Sequence, residues 1–331
     1  MKVLFRLNAG SCGLGHLTRN IAIYESLRDI NINSYFLIKS DNETIVKSLL
    51  KDIGLTNDIF CFLPNGLNSD DDARYTVDLY KNGFSFLILD HYDHNFEYHK
   101  YLKSSDVKWG QFDYKATDEI ISDLVINPNI SAQRNDYSKI TSPKTILCVG
   151  QNYVIIRKSF VNQRIQPIKN NILITMGGGP LSIEIRYLIL SVVTNIDFTF
   201  EIVSSDLELE RLLKKYSNCK VYISPRDISA IYKNCEFAIV SGGVTTFELA
   251  VLGIPLFIVP IVENQVQNAK AWDKKNFGIC YENSEAFIRE INHNGLQVLV
   301  LKLKEKYSKK RASIDGLGAT RIVNEIIKIL E

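Results

Sequence analysis

No apolar stretch in this chain of 331 residues approaches the roughly 18–20 residues that a membrane-spanning helix needs, so no stable membrane insertion is expected. An excess of one charge is missing as well. Lys and Arg number 39 against 37 Asp and Glu, a formal charge of +2. Proteins that track a phosphate backbone carry a far larger basic surplus, and nucleic acid is not expected as a partner. The six cysteines, Cys12, Cys61, Cys148, Cys219, Cys235 and Cys280, form no C-x-x-C pair and no Cys/His spacing typical of zinc. They read as reduced, mostly buried, small apolar residues. The N-terminus lacks the basic-then-apolar layout of a signal peptide, and a cytoplasmic protein is expected.

What remains is a sequence with 46% hydrophobic and 23% charged residues, which should fold throughout. Its length suits two domains of roughly 150 residues each. Short β-branched and aromatic runs, such as 3–7, 34–38, 85–90 and 109–113, alternate with amphipathic stretches such as 20–29 and 43–53. The alternation restarts near residue 170, with strands at 172–176, 198–203, 219–222, 237–240 and 256–259. Such alternation implies parallel sheets covered on both faces. The fold class is α/β: two doubly wound, Rossmann-like domains facing a cleft, with ligands beyond the carboxyl ends of the strands. The domains are expected at 1–160 and 172–331, joined by a polar linker at 161–171 that contains Pro167. The aspartate-rich SDDDAR (69–74) reads as a solvated loop, and LKLKEKYSKKR (301–311) as a solvated helix face.

AGSCGLGHLTRN (9–20) places Gly10, Gly13, Gly15 and His16 where the first strand hands over to the first helix. A dinucleotide fingerprint needs G-x-G-x-x-G and an acidic residue about 20 positions on. Here the glycine spacing is reversed, and the second strand ends in Lys39-Ser40-Asp41. No Gly-Lys-Ser/Thr follows, so a Walker P-loop fails too. The turn could simply be tight, with His16 capping the helix. Alternatively, a histidine at a helix N-terminus is favoured in its neutral, proton-accepting form, and small neighbours leave room for a substrate.

The second half carries a stronger signal in FAIVSGGVTTFELAVLGIPLFIVPIVENQ (237–265). A strand runs into Ser241-Gly242-Gly243, and a helix opens at about Thr245 with its positive end toward the same point, which suits a diphosphate. Glu248 lies about one turn into that helix, where it could reach ribose hydroxyls. Asn264-Gln265 follow the next strand, and ITMGGGP (174–180), with Gly177 and Gly178, supplies a further glycine turn.

Together these segments, with LILDHYDHN (87–95), GQNYVIIRKSF (150–160) and IDGLGATRIV (314–323), resemble a known family. It comprises the hydrolases that release UDP from UDP-2,4-diacetamido-2,4,6-trideoxy-β-L-altrose in pseudaminic acid biosynthesis, together with related polysaccharide-biosynthesis proteins. All share the two-domain GT-B fold of MurG-type glycosyltransferases. The resemblance implies that the second domain binds UDP, with Ser241, Gly242, Gly243, Thr245, Thr246 and Glu248 on pyrophosphate and ribose. It implies His16 as the catalytic residue, Asn264 and Gln265 facing sugar and phosphates, and Asp90, His91 and Tyr92 bordering the same site. Two family carboxylates are absent. Asn8 stands two residues after Arg6 where an aspartate is common, and Pro180 stands where Gly-Gly-x-Asp is common.

The resulting expectation is a metal-independent UDP-sugar hydrolase, without a cofactor, whose partner is a UDP-sugar substrate. Water would attack the anomeric carbon, with His16 as positioner or general base and backbone N–H groups steadying the departing diphosphate. A glycosyltransferase using a hydroxyl acceptor, or a non-catalytic UDP-sugar binding protein, are the alternatives on the same scaffold.

Overall fold

The computed structural model describes the chain except residues 11–14, 53, 162, 178–180, 226 and 310–313, and the side chains of Asp52 and Asn264. Gly13 and Gly178, both expected at the site, therefore lie outside the described residues, as does Cys12. The chain forms two compact units. Unit 1 comprises Met1–Lys158 and Gly316–Glu331, and unit 2 comprises Ser159–Asp315.

Unit 1 is built on seven strands: β1 (Lys2–Asn8), β2 (Asn33–Lys39), β3 (Phe60–Phe62), β4 (Phe86–Asp90), β5 (Trp109–Phe112), β6 (Leu124–Asn127) and β7 (Ile146–Val149). Their order is β3-β2-β1-β4-β5-β6-β7, and every pairing is parallel. Side chains alternate across a strand, so β1 serves two cores. Val3, Phe5 and Leu7 join Ile23, Leu27, Phe36 and Ile126 on one face. Leu4 joins Leu37, Val77, Leu87, Tyr98 and Trp109 on the other. The register sets Asn8 opposite Lys39 and Leu7 opposite Asp90, which brings three polar strand ends to one edge.

Unit 2 repeats the scheme with β8 (Asn171–Thr175), β9 (Thr199–Ser204), β10 (Cys219–Ile223), β11 (Phe237–Val240), β12 (Leu256–Ile258) and β13 (Gly278–Cys280). The order β10-β9-β8-β11-β12-β13 is again wholly parallel and reverses direction beside β8, where doubly wound sheets bind ligands. The two expected sheets are thus present, and their strands lie within a residue or two of the sequence reading. The strand at Phe60–Phe62 lies inside FCFLPNGL, which carries no alternation long enough to announce it.

The unit boundary departs from expectation in two respects. First, the polar stretch 161–171 is not a free linker. Gln166 and Ile168 donate backbone hydrogen bonds to the Lys233 and Asn234 carbonyls, so this segment is fixed within unit 2. Second, the last helix, Gly318–Leu330, belongs to unit 1. Its Ile322, Val323 and Ile326 join the Phe5 core, and Leu317 forms an antiparallel bridge with Ile155. Gly318 permits that approach, because a Cβ there would lie 2.2 Å from the Val154 carbonyl oxygen.

SDDDAR is also not a loop. Asn68 caps a helix over Ser69–Tyr80 by accepting the Asp71 N–H, and three aspartates in the first turn suit the positive helix end. The basic run is mostly a helix, Leu296–Ser308, with Leu303 fully buried and Lys304 and Lys306 paired to Glu236 and Asp273. Among the described cysteines, Cys148 and Cys235 are buried, whereas Cys61, Cys219 and Cys280 are only partly so; all five are free thiols. Burial pushes the Cys148 thiol up to about 12.

Candidate functional site

His16 is the second residue of the helix Gly15–Arg28, which Gly15 opens. Its Nδ1 lies 2.7 Å from Asp90 Oδ1 and 3.2 Å from the Asp90 carbonyl oxygen. Asp90 ends β4 with a fully buried carboxylate that collects donors from one helix face. Arg19 Nε donates to Oδ2 at 2.6 Å and its Nη2 to Oδ1, while Asn20 Nδ2 donates to Oδ2. Residues 16, 19 and 20 share a face because helical neighbours lie three and four positions apart.

Burial alone would push the Asp90 carboxyl up, but the Arg19 charge and the hydrogen bonds from Arg19 and His16 bring it down to about 2. The guanidinium lies over Phe112 at 4.4 Å and Tyr114 at 5.0 Å, so the ion pair is walled by aromatic rings. Arg19 Nη2 also lies 2.8 Å from His16 Nδ1. Two acceptor oxygens face that nitrogen against one donor, and we assign the proton to Nδ1, donated to Asp90. Nε2 is then the nitrogen that can accept a proton. The carboxylate thus holds the orientation of the imidazole, while Arg19 balances its charge.

Tyr92 stands edge-on to the imidazole at 4.9 Å and is 69% exposed. His91 is turned the other way. Its ring is buried against His94 and Tyr98, Nδ1 accepts the Asp93 N–H at 3.3 Å, and burial holds the group well below the usual imidazole range. The structure therefore brings Asp90 and Tyr92 to His16 and places His91 in the core behind them.

Asn8 occupies the same edge through a different network. It accepts from Arg6 Nη1 at 3.0 Å and donates to Asp93 Oδ2 at 3.1 Å, where Lys39 also donates. An aspartate at position 8 would set one carboxylate against another, so asparagine fits the neighbours present. Arg6 itself is fully buried and paired with Asp72, which also accepts from Tyr98 and Thr76. Arg19, Asn20 and Asp72 were not anticipated as parts of this edge. The i+3 and i+4 spacing from His16 was visible in HLTRN, whereas nothing local links position 6 to position 72.

In unit 2, β11 runs into Ser241-Gly242-Gly243 and then the helix Thr245–Leu252. Val244 precedes this helix in helical conformation and supplies no side-chain cap, which leaves the helix start available to an anion. Gln265 Oε1 accepts from the Gly242 N–H at 3.2 Å and the Ile261 N–H at 3.1 Å, and Asn268 Nδ2 donates to the Gly242 carbonyl at 2.8 Å. A Cβ on Gly242 would meet the Gln265 carbonyl oxygen at 2.8 Å, so only glycine allows this approach. The Thr246 hydroxyl is buried and donates to the Gly243 carbonyl at 2.6 Å, which fixes the turn. Glu248 is buried as well and is not without a partner, whereas Gly243 and Thr245 remain partly exposed. Gly177 follows β8 with φ of 100° and open space beside it, and Asn264 is the second residue of the helix Glu263–Lys274. Gln265 and Asn268 thus brace the glycine turn.

Among the described residues, no group of three His, Cys, Asp or Glu side chains is arranged to hold a metal ion, and no helix is long and apolar enough to cross a membrane.

The glycosyltransferase family 28 C-terminal domain matches residues 202–328. An uncharacterized protein of Methanocaldococcus jannaschii is 25% identical over 346 aligned positions, covering 96% of this chain and 64% of the relative. The chain thus spans less than two thirds of that relative's length. A UDP-2,4-diacetamido-2,4,6-trideoxy-β-L-altropyranose hydrolase of Campylobacter jejuni is 24% identical, covering 85% of this chain and all of the relative. Among solved structures, MurG of Acinetobacter baumannii superposes with a TM-score of 0.62 at 15% identity, covering 99% of this chain and 100% of that one. The fold is the GT-B type, with two parallel-sheet α/β domains.

Proposed function

We propose that the chain hydrolyses a UDP-activated amino- or deoxy-sugar to UDP and the free sugar, in bacterial nonulosonic-acid or surface-polysaccharide biosynthesis. The observation that carries this reading is the His16–Asp90 pair, with Nδ1 2.7 Å from Oδ1; the tautomer assigned above leaves Nε2 as the proton acceptor. In the proposed reaction water attacks the anomeric carbon and gives its proton to Nε2, while the bond from that carbon to the diphosphate oxygen breaks. UDP leaves as a stable anion. Ser241, Gly243 and Thr245 are assigned to the diphosphate, Gly242, whose N–H is held by Gln265 Oε1, to the shape of the turn, and the positive end of the helix 245–252 to the role that a cation fills elsewhere. Thr246, Gln265 and Asn268 hold that turn in shape, Glu248 is assigned to the ribose, and Asn8, Tyr92, Gly177 and Asn264 to the sugar side. The likeness to the Campylobacter hydrolase, along its whole length, supports this reading.

A second reading, transfer of the sugar to an acceptor hydroxyl, is favoured by the match of residues 202–328 to a glycosyltransferase domain. One experiment separates the two. The protein is incubated with a panel of UDP-sugars and no acceptor, and UDP and free sugar are measured. Stoichiometric release of both supports hydrolysis; release only after an acceptor is added supports transfer.

A further inference from the structure

We propose that unit 1 carries a separate subsite for an uncharged, amide-bearing saccharide ring, in a cavity of 390 Å³ beyond the ends of β5 and β6. The proposal rests on the reading that the reacting ligand is a sugar, and it adds where on unit 1 a sugar ring is held. Four observations carry it. The cavity opens at the carboxyl edge of a parallel sheet, the same edge that presents Asp90, and that edge is where such sheets bind ligands. Tyr114 is the shared residue: it lines the cavity, and its ring lies 5.0 Å from the Arg19 guanidinium that holds Asp90. An occupant would therefore share Tyr114 with the His16 cluster.

The third observation is preorganisation. Asn127, the last residue of β6, donates to the Tyr137 hydroxyl at 2.7 Å and accepts the Asn129 N–H at 3.1 Å. Tyr137 is itself buried and donates to Asp113 at 2.8 Å. The Asn127 carboxamide is thus locked, with one N–H and one lone pair still to spend, and little entropy is lost when a ligand takes them.

The fourth is the balance of the lining. Lys115 and Asp136 contribute one charge of each sign, so a phosphate or a free amine gains nothing net. Asn129 and Ser131 offer hydrogen bonds of both senses, and the methyl groups of Ala116 and Ala132 offer a small apolar spot. A neutral ring with hydroxyls and an acylated amine matches that set. The volume lies near the lower end of small-molecule sites, which suits a single ring.

The ring could come from the nucleotide sugar itself or from a second, free saccharide. Saturation-transfer NMR on the full chain tests both, with N-acetylglucosamine and N-acetylmannosamine as probes and glucose as reference. Transfer to the N-acetyl methyl is expected in the wild-type protein. It should weaken about two- to tenfold in Asn129→Ala, as for one lost hydrogen bond, and vanish in Ser131→Tyr, which fills the cavity from an exposed position. UDP affinity should stay unchanged in both variants. Displacement of the probe by UDP-N-acetylglucosamine would identify the nucleotide sugar as the source, and simultaneous binding would identify a second saccharide. Absence of transfer in wild type, or equal transfer in Ser131→Tyr, would overturn the subsite. The hydrolase reading fails separately, if wild-type protein releases no UDP from any UDP-sugar.

Discussion

Replacing Asp90 with asparagine should produce a stability loss that shrinks as the solution is acidified. The Asp90 carboxylate is 1% exposed, and Arg19, its counter-charge, has a side chain only 12% exposed. Removing one partner leaves a buried guanidinium uncompensated, which costs about 3–5 kcal/mol at neutral pH. The Asp90 carboxyl is depressed from 3.8 to about 2 in the folded state. A depressed carboxyl contributes stability that is complete above its unfolded value and is lost as pH falls through the folded value. The wild-type protein should therefore forfeit about 2 kcal/mol of this contribution between pH 4 and pH 2, while Asp90→Asn has nothing there to forfeit. The gap between the two proteins should narrow by about 1.5 kcal/mol between pH 7 and pH 2.5. Unit 1 can be followed alone, because the two tryptophans divide between the units: Trp109 ends in the unit 1 core, and Trp272 lies in unit 2. Urea unfolding of both proteins in a Trp272→Phe background, read by Trp109 fluorescence at pH 7, 4 and 2.5, gives the gap directly. A gap that stays constant across that range would refute the electrostatic account of Asp90.

His16→Ala should lower kcat about 10²–10⁴-fold with UDP affinity intact, and His16→Asn should retain part of the activity; loss of UDP binding in both would make the residue structural. Gly242→Ala should destabilise unit 2 by about 1–3 kcal/mol and weaken UDP binding, because the new Cβ would lie 2.8 Å from the Gln265 carbonyl oxygen; Trp272 fluorescence and calorimetry check the two effects. Glu248→Ala should weaken UDP binding by about 1–3 kcal/mol if this carboxylate takes charge-assisted hydrogen bonds from ribose, and an unchanged Kd would return it to the core. Turnover should survive EDTA, and loss on chelation with recovery by Mg²⁺ or Mn²⁺ would reject the helix end as the anion's partner.

The periodic features of this chain were legible from sequence because parallel strands buried on both faces leave continuous apolar runs, as at 86–90 and 237–240. The positions of Asp90 and the glycine turn at 241–243 were legible for a related reason: each sits where such a run stops, while His16 stands at the start of the helix that follows β1. The orientation of His91 was not, since the two faces of a strand end differ only by what packs there, and His94 and Tyr98 decide it. Nor was the Arg6–Asp72 pair, whose members are 66 positions apart and meet only after the helix 69–80 has docked on β1. Nor was the helix at SDDDAR, because three aspartates in a row suit a solvated loop and a helix start alike. Asp72 spends its charge inside the protein, and its two preceding aspartates suit a helix start.

The return of the last helix to unit 1 has a bearing on biosynthesis. Unit 2 is one continuous stretch of chain, complete once Asp315 has been made, whereas unit 1 begins at Met1 and is finished only by Gly316–Glu331. The chain up to Asp315 therefore holds all of unit 2, whereas unit 1 keeps the apolar face of its opening helix, Ile23 and Leu27 among it, uncovered until Ile322, Val323 and Ile326 arrive. A premature stop near residue 316 would spare the later unit and leave the earlier one open, so the two halves have opposite tolerances to loss of the C-terminus. A stretch cut at 159 and 315, not one running to the end, is the piece to express for testing whether unit 2 binds UDP by itself.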